Sequence, residues 1–223
     1  MMQRLGSATR QVWLIPALAL VAACGVAAPA VPGPPEVATT QLTPEHQLLL
    51  GRQLVMTHAC GDCHGGKSPE KEGWLAGRRP SSPPGEGEFQ IGPFKTQARN
   101  LTPDNSTGLG RFSERQIFNA LRYGLRPGET PDVEITSAVA GQGNHPANPK
   151  YLAIPMPWPA FRHMADAELW AIAAYLKHGV MPVSNRVPDS EGPPDFWASA
   201  YTPEAIGTYP APAFPTARER LRE

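Results

Sequence analysis

The sequence predicts an all-α fold: a few short helices joined by long irregular segments. Three observations lead there. Glycine and proline are abundant, at 21 and 27 of 223 residues, and proline disrupts helix interiors and central strands, so a large sheet is not expected. Three stretches carry helix caps or the 3.6-residue apolar period. The connections between them, residues 65–110 and 125–160, are far longer than ordinary connections in compact domains. Helices so sparse do not fill a core by themselves, and a large buried prosthetic group would supply the missing volume.

Composition narrows the class further. The length fits one domain with appendages, and a hydrophobic content of 41% supports one core rather than several membrane spans. Twenty basic residues face twenty acidic ones, and the pI is near 7. That balance lacks the basic face of a nucleic-acid binder, so no nucleic-acid partner is expected.

Residues 1–23 read as a signal peptide. Arg4 and Arg10 are the only charges before Glu36, and the apolar run Val12–Ala23 is interrupted by Pro16. A basic start, a short apolar stretch and small closing residues suit export, and the run is too short to span a bilayer. The ending Val21-Ala22-Ala23-Cys24 resembles a bacterial lipobox. It implies a lipid anchor on Cys24 and hence an exported, periplasmic protein held at a membrane; the alternative is an ordinary signal that happens to contain a cysteine. Removal of residues 1–23 leaves 18 basic and 20 acidic residues, a net charge of about −2. Residues 24–42, with Pro29, Pro32, Pro34 and Pro35, form a semi-rigid tether.

The folded domain is expected over residues 43–188. Its first helix runs from Pro44 to about His58, with Thr43 as N-cap and Pro44 in the first turn. A second spans Glu114–Tyr123, where Ser113 and Gln116 form a capping box and Gly124 ends the helix. A third runs from Asp166 to about His178, with Leu169, Ile172, Ala173 and Leu176 on one face and Gly179 as the stop. Residues 189–223 form an extended tail. Its Phe196, Trp197, Tyr201, Tyr209 and Phe214 are too many aromatics for a disordered segment, so the tail is expected to wrap the domain.

The chemistry sits in Cys60-Gly61-Asp62-Cys63-His64, the attachment signature of a c-type haem. Two thiols three residues apart can add across the two vinyl groups of one haem, and His64 then lies under the iron. One covalent haem c is therefore the expected cofactor, with Cys60, Cys63 and His64 as its residues. Competing readings are a zinc site, which needs two further donors, a dithiol redox pair, which wants a thioredoxin-like setting, and a surface disulfide.

Methionine is a common second axial ligand of such haems. Met156 is the favoured candidate over Met56, Met164 and Met181. Met56 lies too close in sequence to reach the opposite haem face. Met156 sits in Ile154-Pro155-Met156-Pro157-Trp158-Pro159, where prolines lower the entropy cost of presenting one side chain. Iron would thus be held by His64 and Met156. His145, in Gly143-Asn144-His145-Pro146, is the alternative ligand.

The haem motif and the Met156 loop resemble class I cytochromes c. A closer resemblance is to the haem modules of cytochrome c subunits in bacterial membrane-bound alcohol and aldehyde dehydrogenases. It is carried by Asn100-Leu101-Thr102-Pro103-Asp104, Thr107-Gly108-Leu109-Gly110-Arg111-Phe112-Ser113, Ala120-Leu121-Arg122-Tyr123-Gly124, Met156-Pro157-Trp158 and Ala173-Ala174-Tyr175-Leu176. It covers roughly residues 44–188. The resemblance implies a class I fold with crossing first and last helices, Gly51 permitting their close approach at Tyr175. It implies thioethers at Cys60 and Cys63, proximal His64 and distal Met156, with residues 100–104 and 108–112 near the haem edge. Phe112 replaces a common Trp, Ala165 replaces a common cap so that Asp166 is expected to cap instead, and the 126–151 loop is longer than usual. The dehydrogenase subunits carry several haem motifs and this chain carries one, which favours a stand-alone carrier.

The expected function is single-electron transfer between redox partner proteins, without enzymatic activity of its own. The alternatives are an electron-entry or structural subunit of a dehydrogenase or oxidase complex, and a ligand-binding haem sensor with an open sixth position.

Overall fold

The structure is a computed structural model that describes residues 42–193 and 196–221. The expected signal peptide, Cys24 and nearly all of the tether lie outside the described residues. Helix α1 spans Pro44–Thr57, and Thr43 caps it by accepting from the His46 N–H. A single turn, α2 (Cys60–His64), follows a left-handed Ala59. Helix α3 (Glu114–Tyr123) has the full Ser113–Gln116 capping box and ends at Gly124 in the left-handed region, φ 69°. The short α4 (Trp158–Phe161) precedes α5 (Asp166–Ala174), and α6 (Pro203–Ile206) lies in the tail.

The core forms where α1 crosses α5. Leu54 and Val55 meet Leu169, Ile172 and Ala173, and α3 adds Ile117, Phe118 and Leu121. Gly51 makes the crossing possible. A Cβ there would fall 2.0 Å from the Ala171 carbonyl oxygen and 2.7 Å from Tyr175 Cβ, so no larger residue fits without separating the helices.

Three features depart from the sequence reading. The α-helical hydrogen-bonding of α5 ends at Ala174, and Tyr175–Gly179 continues as a wider π turn. That turn carries Lys177, whose Nζ donates to the carbonyls of Gly110 (2.8 Å) and Phe112 (2.6 Å). Asp166 does not cap α5: Ala165 is the N-cap, its N–H is taken by the Glu168 carboxylate at 2.8 Å, and Asp166 pairs with Arg122. The stretch 65–110 also contains a β-hairpin, β1 (Glu88–Ile91) against β2 (Phe94–Gln97), turned by Gly92-Pro93 with Ile91 opposite Phe94. Its strands are four residues long, too short to announce themselves among the surrounding glycines and prolines.

The tail packs as an extended wrap. Trp197 is 2% exposed and meets Phe94 of β2 edge-on at 4.8 Å. Tyr201 meets Trp158 at 5.0 Å, and Tyr209 meets His163 at 5.6 Å. Phe214 stays exposed.

Candidate functional site

The α2 turn places Cys60 and Cys63 one helical turn apart, with His64 next in line. Its inner face is closed by Trp74. A Cβ on Gly61 would lie 2.2 Å from Trp74 Cζ3, and Trp74 Nε1 donates to the Tyr175 hydroxyl at 3.2 Å. Gly61, the first of the two residues between the cysteines, is therefore constrained by packing against the core. After His64 the chain turns through Gly65 and Gly66, both at positive φ. It then doubles back: the Gly77 N–H donates to the His64 carbonyl at 2.7 Å, and the Leu101 N–H to Leu75 at 2.8 Å.

This return brings the Arg99 carbonyl 2.7 Å from His64 Nδ1. A carbonyl oxygen only accepts, so Nδ1 carries the proton and Nε2 keeps its lone pair. Burial holds the His64 pKa below the ordinary value, against the opposing pull of the Arg99 bond. The imidazole is thus neutral and oriented, as a metal ligand must be.

Both cysteines are free. Burial, with a smaller contribution from Cys63, pushes the Cys60 thiol up to about 11. Burial and the charges of Asp62 and Glu86 raise Cys63. Raised thiols are mostly protonated, and hence weak nucleophiles, at neutral pH. Among the described residues no three His, Cys, Asp or Glu side chains converge as a metal site, so the zinc reading lacks its further donors. Covalent attachment of a haem consumes neutral thiols and asks for one imidazole, and that donor set is the one present.

Met156 packs on the same hydrophobic core as Cys60. It is half-buried against the core, as are Cys60, Leu101 and Phe112, which pack on the same hydrophobic cluster. Its loop is locked at the base: the Leu152 N–H donates to Gly124 at 2.6 Å, and Leu125 bridges Tyr151. Trp158 is buried over Gly124, where a Cβ would fall 2.2 Å from Cε2, and it stacks on Tyr151 with rings 3° from parallel. The Tyr201 hydroxyl donates to the Leu152 carbonyl at 3.0 Å. The buried Trp158 Nε1 lies beside the Tyr201 hydroxyl, on which its N–H exerts a small pKa-lowering pull.

Of the other candidates, Met56 and Met181 are exposed, at 43% and 80%. Met164 packs on the core but lacks the proline frame. His145 is buried edge-on against Tyr123 at 5.7 Å, with Nδ1 near the Pro146 carbonyl. The 126–151 loop folds back on α3: the Tyr123 hydroxyl donates to Ile135, and Asn119 Nδ2 to Val133.

The segments expected near the haem edge are internally braced. Asn100 and Thr102 are buried, and the Asn100 side-chain oxygen accepts from both the N–H and the hydroxyl of Thr102. The roles of Arg99 and of the tail residue Tyr201 at the site escape sequence reasoning. No local signal marks a backbone acceptor 35 residues from its donor.

No protein-family model matches the chain. The chain is similar to the gluconate 2-dehydrogenase cytochrome c subunit of Pantoea cypripedii, 27% identical over 169 residues, 72% of this chain and 31% of the relative. It is 29% identical over 121 residues to the cytochrome c subunit of the quinone alcohol dehydrogenase of Gluconacetobacter polyoxogenes, 51% of this chain and 22% of the relative. With a nicotinate dehydrogenase subunit of Pseudomonas putida the identity is 31% over 198 residues, 83% of this chain and 14% of that protein. The chain spans less than a third of the length of these curated relatives.

Proposed function

We propose that this chain, which is similar to the cytochrome c subunits of bacterial dehydrogenases, is a class I monohaem cytochrome that transfers single electrons and is not itself a catalyst. In this reading Cys60 and Cys63 carry the thioethers, His64 is the proximal ligand and Met156 the distal one. The observation that carries it is the imidazole of His64, its Nδ1 held to the Arg99 carbonyl at 2.7 Å, on the same helical turn as two free thiols. A haem held there supplies a reversible one-electron change of iron.

The protein's own residues do the rest. The Arg99 carbonyl orients the proximal imidazole and raises the basicity of Nε2. The proline-framed loop, stacked down by Trp158, Tyr151 and Tyr201, presents the Met156 thioether with little conformational freedom left to lose. Leu101 and Phe112, which pack on the core, would help keep water from a bound haem and so tune its potential.

The names of the relatives support a dehydrogenase as electron donor and weigh the balance toward a complex subunit over the stand-alone carrier. The sequence of residues 1–24 supports export to the periplasm and a lipid anchor at Cys24; among the described residues no helix is long and apolar enough to cross a membrane. A Cys24→Ser variant that stays in the membrane fraction would refute the anchor.

The deciding experiment is the optical spectrum of the purified ferric protein, extended into the far red. A haem spectrum with a weak iron–sulfur charge-transfer band, lost in Met156→Ala and kept in Met164→Ala, is the expected result. A haem spectrum without that band, together with carbon monoxide binding to the reduced protein, would replace the carrier with a ligand-binding sensor. No haem from a host able to attach it would sink the reading.

A further inference from the structure

The segment from Val183 to Glu191 follows the π turn that continues α5 and supplies none of the proposed ligands. It is nevertheless tied along its length to the loop that supports His64. The Val183 carbonyl accepts from Asn100 Nδ2 at 2.8 Å, and its N–H donates to Thr102 Oγ1 at 3.1 Å. Asn185 Nδ2 donates to the carbonyls of Ala76 (2.7 Å) and Arg78 (2.9 Å), while its N–H donates to Thr107 Oγ1 at 3.0 Å. Glu191 exchanges two 2.9 Å backbone bonds with Lys95 of β2.

Further contacts of the segment reach Arg99 and Gly77, the residues that touch His64. The Arg99 carbonyl accepts from His64 Nδ1, while the same residue's guanidinium donates to the Pro188 carbonyl and to Ser190 Oγ, each at 2.7 Å. Ser190 Oγ also lies 2.8 Å from Thr96 Oγ1. Gly77, whose N–H holds the His64 carbonyl, has φ +79°, and a Cβ there would lie 2.8 Å from Val187 Cγ2 and 2.7 Å from the Asn100 nitrogen. Val187 is itself buried. The segment therefore grips both backbone stretches that fix the histidine, one at its main chain and one at its ring.

We infer that residues 183–191 act as a buckle that sets the hydrogen bond between the Arg99 carbonyl and the His64 imidazole, with Asn185 and Ser190 as positioning residues, and so help set the reduction potential of the iron. This rests on His64 as a haem ligand, as proposed above. The physical link is the ring N–H. A short bond from Nδ1 to a carbonyl makes Nε2 a stronger donor and stabilises ferric iron, which lowers the potential. Releasing the buckle lengthens that bond. The potential then rises, and the ring proton exchanges with solvent more readily.

The test uses neutral substitutions, so that no change of charge moves the potential. In the haem-loaded protein, Asn185→Ala and Ser190→Ala each shift the midpoint potential upward. They also speed hydrogen–deuterium exchange of the His64 ring proton, followed by NMR of the reduced form, by at least about tenfold. Ser184→Ala is the control: Ser184 is exposed on the same segment and its variant keeps the parent values. A purely structural role for Asn185 and Ser190 would lower the melting temperature and leave potential and exchange unchanged. That outcome overturns the inference, as does an equal shift in Ser184→Ala. If Asn185→Ala does not fold, Ser190→Ala decides, since it removes a single hydroxyl. A parent protein without haem overturns the site reading and this inference with it; a haem-loaded parent with unchanged variants overturns the buckle alone.

Discussion

Gly61 lies against the ring of Trp74 so closely that a Cβ on Gly61 would stand 2.2 Å from Cζ3. Trp74 cannot withdraw easily: it is buried, and its indole N–H donates to Tyr175 on the far side of the core. The attachment motif is thereby pressed onto the helix crossing. Gly61→Ala is expected to destabilise the protein by about 1–3 kcal/mol, the usual cost of overpacking, and to reduce haem attachment. Thermal unfolding and the haem content of the purified variant measure the two effects. Parent-like values for both would mean that the Trp74 contact is slack.

The crossing of α1 and α5 gives a sharper case. At Gly51 the obstacle is the Ala171 backbone rather than a movable side chain. Gly51→Ala should cost at least about 2 kcal/mol. Gly128→Ala serves as the contrast, because its Cβ would meet only the Phe112 ring at 3.7 Å; a change within about 0.5 kcal/mol is expected there. Chemical denaturation of both variants checks the ranking, and equal losses would refute it.

The tail contributes to the Met156 loop. Tyr201 donates to the Leu152 carbonyl and meets both Tyr151 and Trp158 edge-on. Tyr201→Phe removes the hydrogen bond and keeps the ring, for a loss of about 1 kcal/mol. Tyr201→Ala also removes the ring contacts and should loosen the loop. On heating, the far-red band of the ferric protein should disappear at a lower temperature in Tyr201→Ala than in Tyr201→Phe. Identical behaviour of the two variants would detach the tail from the Met156 loop.

Asp104 provides a pH-dependent term. Hydrogen bonds from the Thr107 and Ser106 side chains and from their N–H groups hold its carboxyl below the usual carboxylate range. A depressed folded-state pKa stabilises the fold fully above the unfolded value of about 4, and that contribution is lost as pH falls through the folded-state value. Asp104→Asn should therefore lower the melting temperature at neutral pH. The difference from the parent should shrink toward zero as the pH falls through the lowered folded-state value of Asp104. A gap that stays constant across that range would assign the loss to geometry rather than to charge.

Much of the framework is legible in the chain. Helix ends are local events, and the Thr43 cap, the Ser113–Gln116 box and the Gly124 stop all depend on residues within four positions of one another, so their signals survive in the sequence. The Cys60-Gly61-Asp62-Cys63-His64 spacing is equally local, and it names the expected cofactor without any knowledge of the fold. The close approach at Gly51 follows from the family resemblance, and the crossing of α1 and α5 bears it out. The cap of α5 is misread from sequence because Asp166 has a long-range partner, Arg122, that no local rule sees.

What only the tertiary structure decided is how the site is held. The bond from His64 to Arg99 spans 35 residues, the contact of Trp74 with Tyr175 spans 101, and the ties of Asn185 to Ala76 and Arg78 span 109 and 107. Such contacts join irregular backbone to irregular backbone, so they follow neither the helical nor the strand period. Their specificity comes from carbonyls and N–H groups that every residue carries, and a sequence does not reveal which of them will meet. The chain's residue types point to the group it is expected to hold; the folding-back of its loops determined which atoms orient His64.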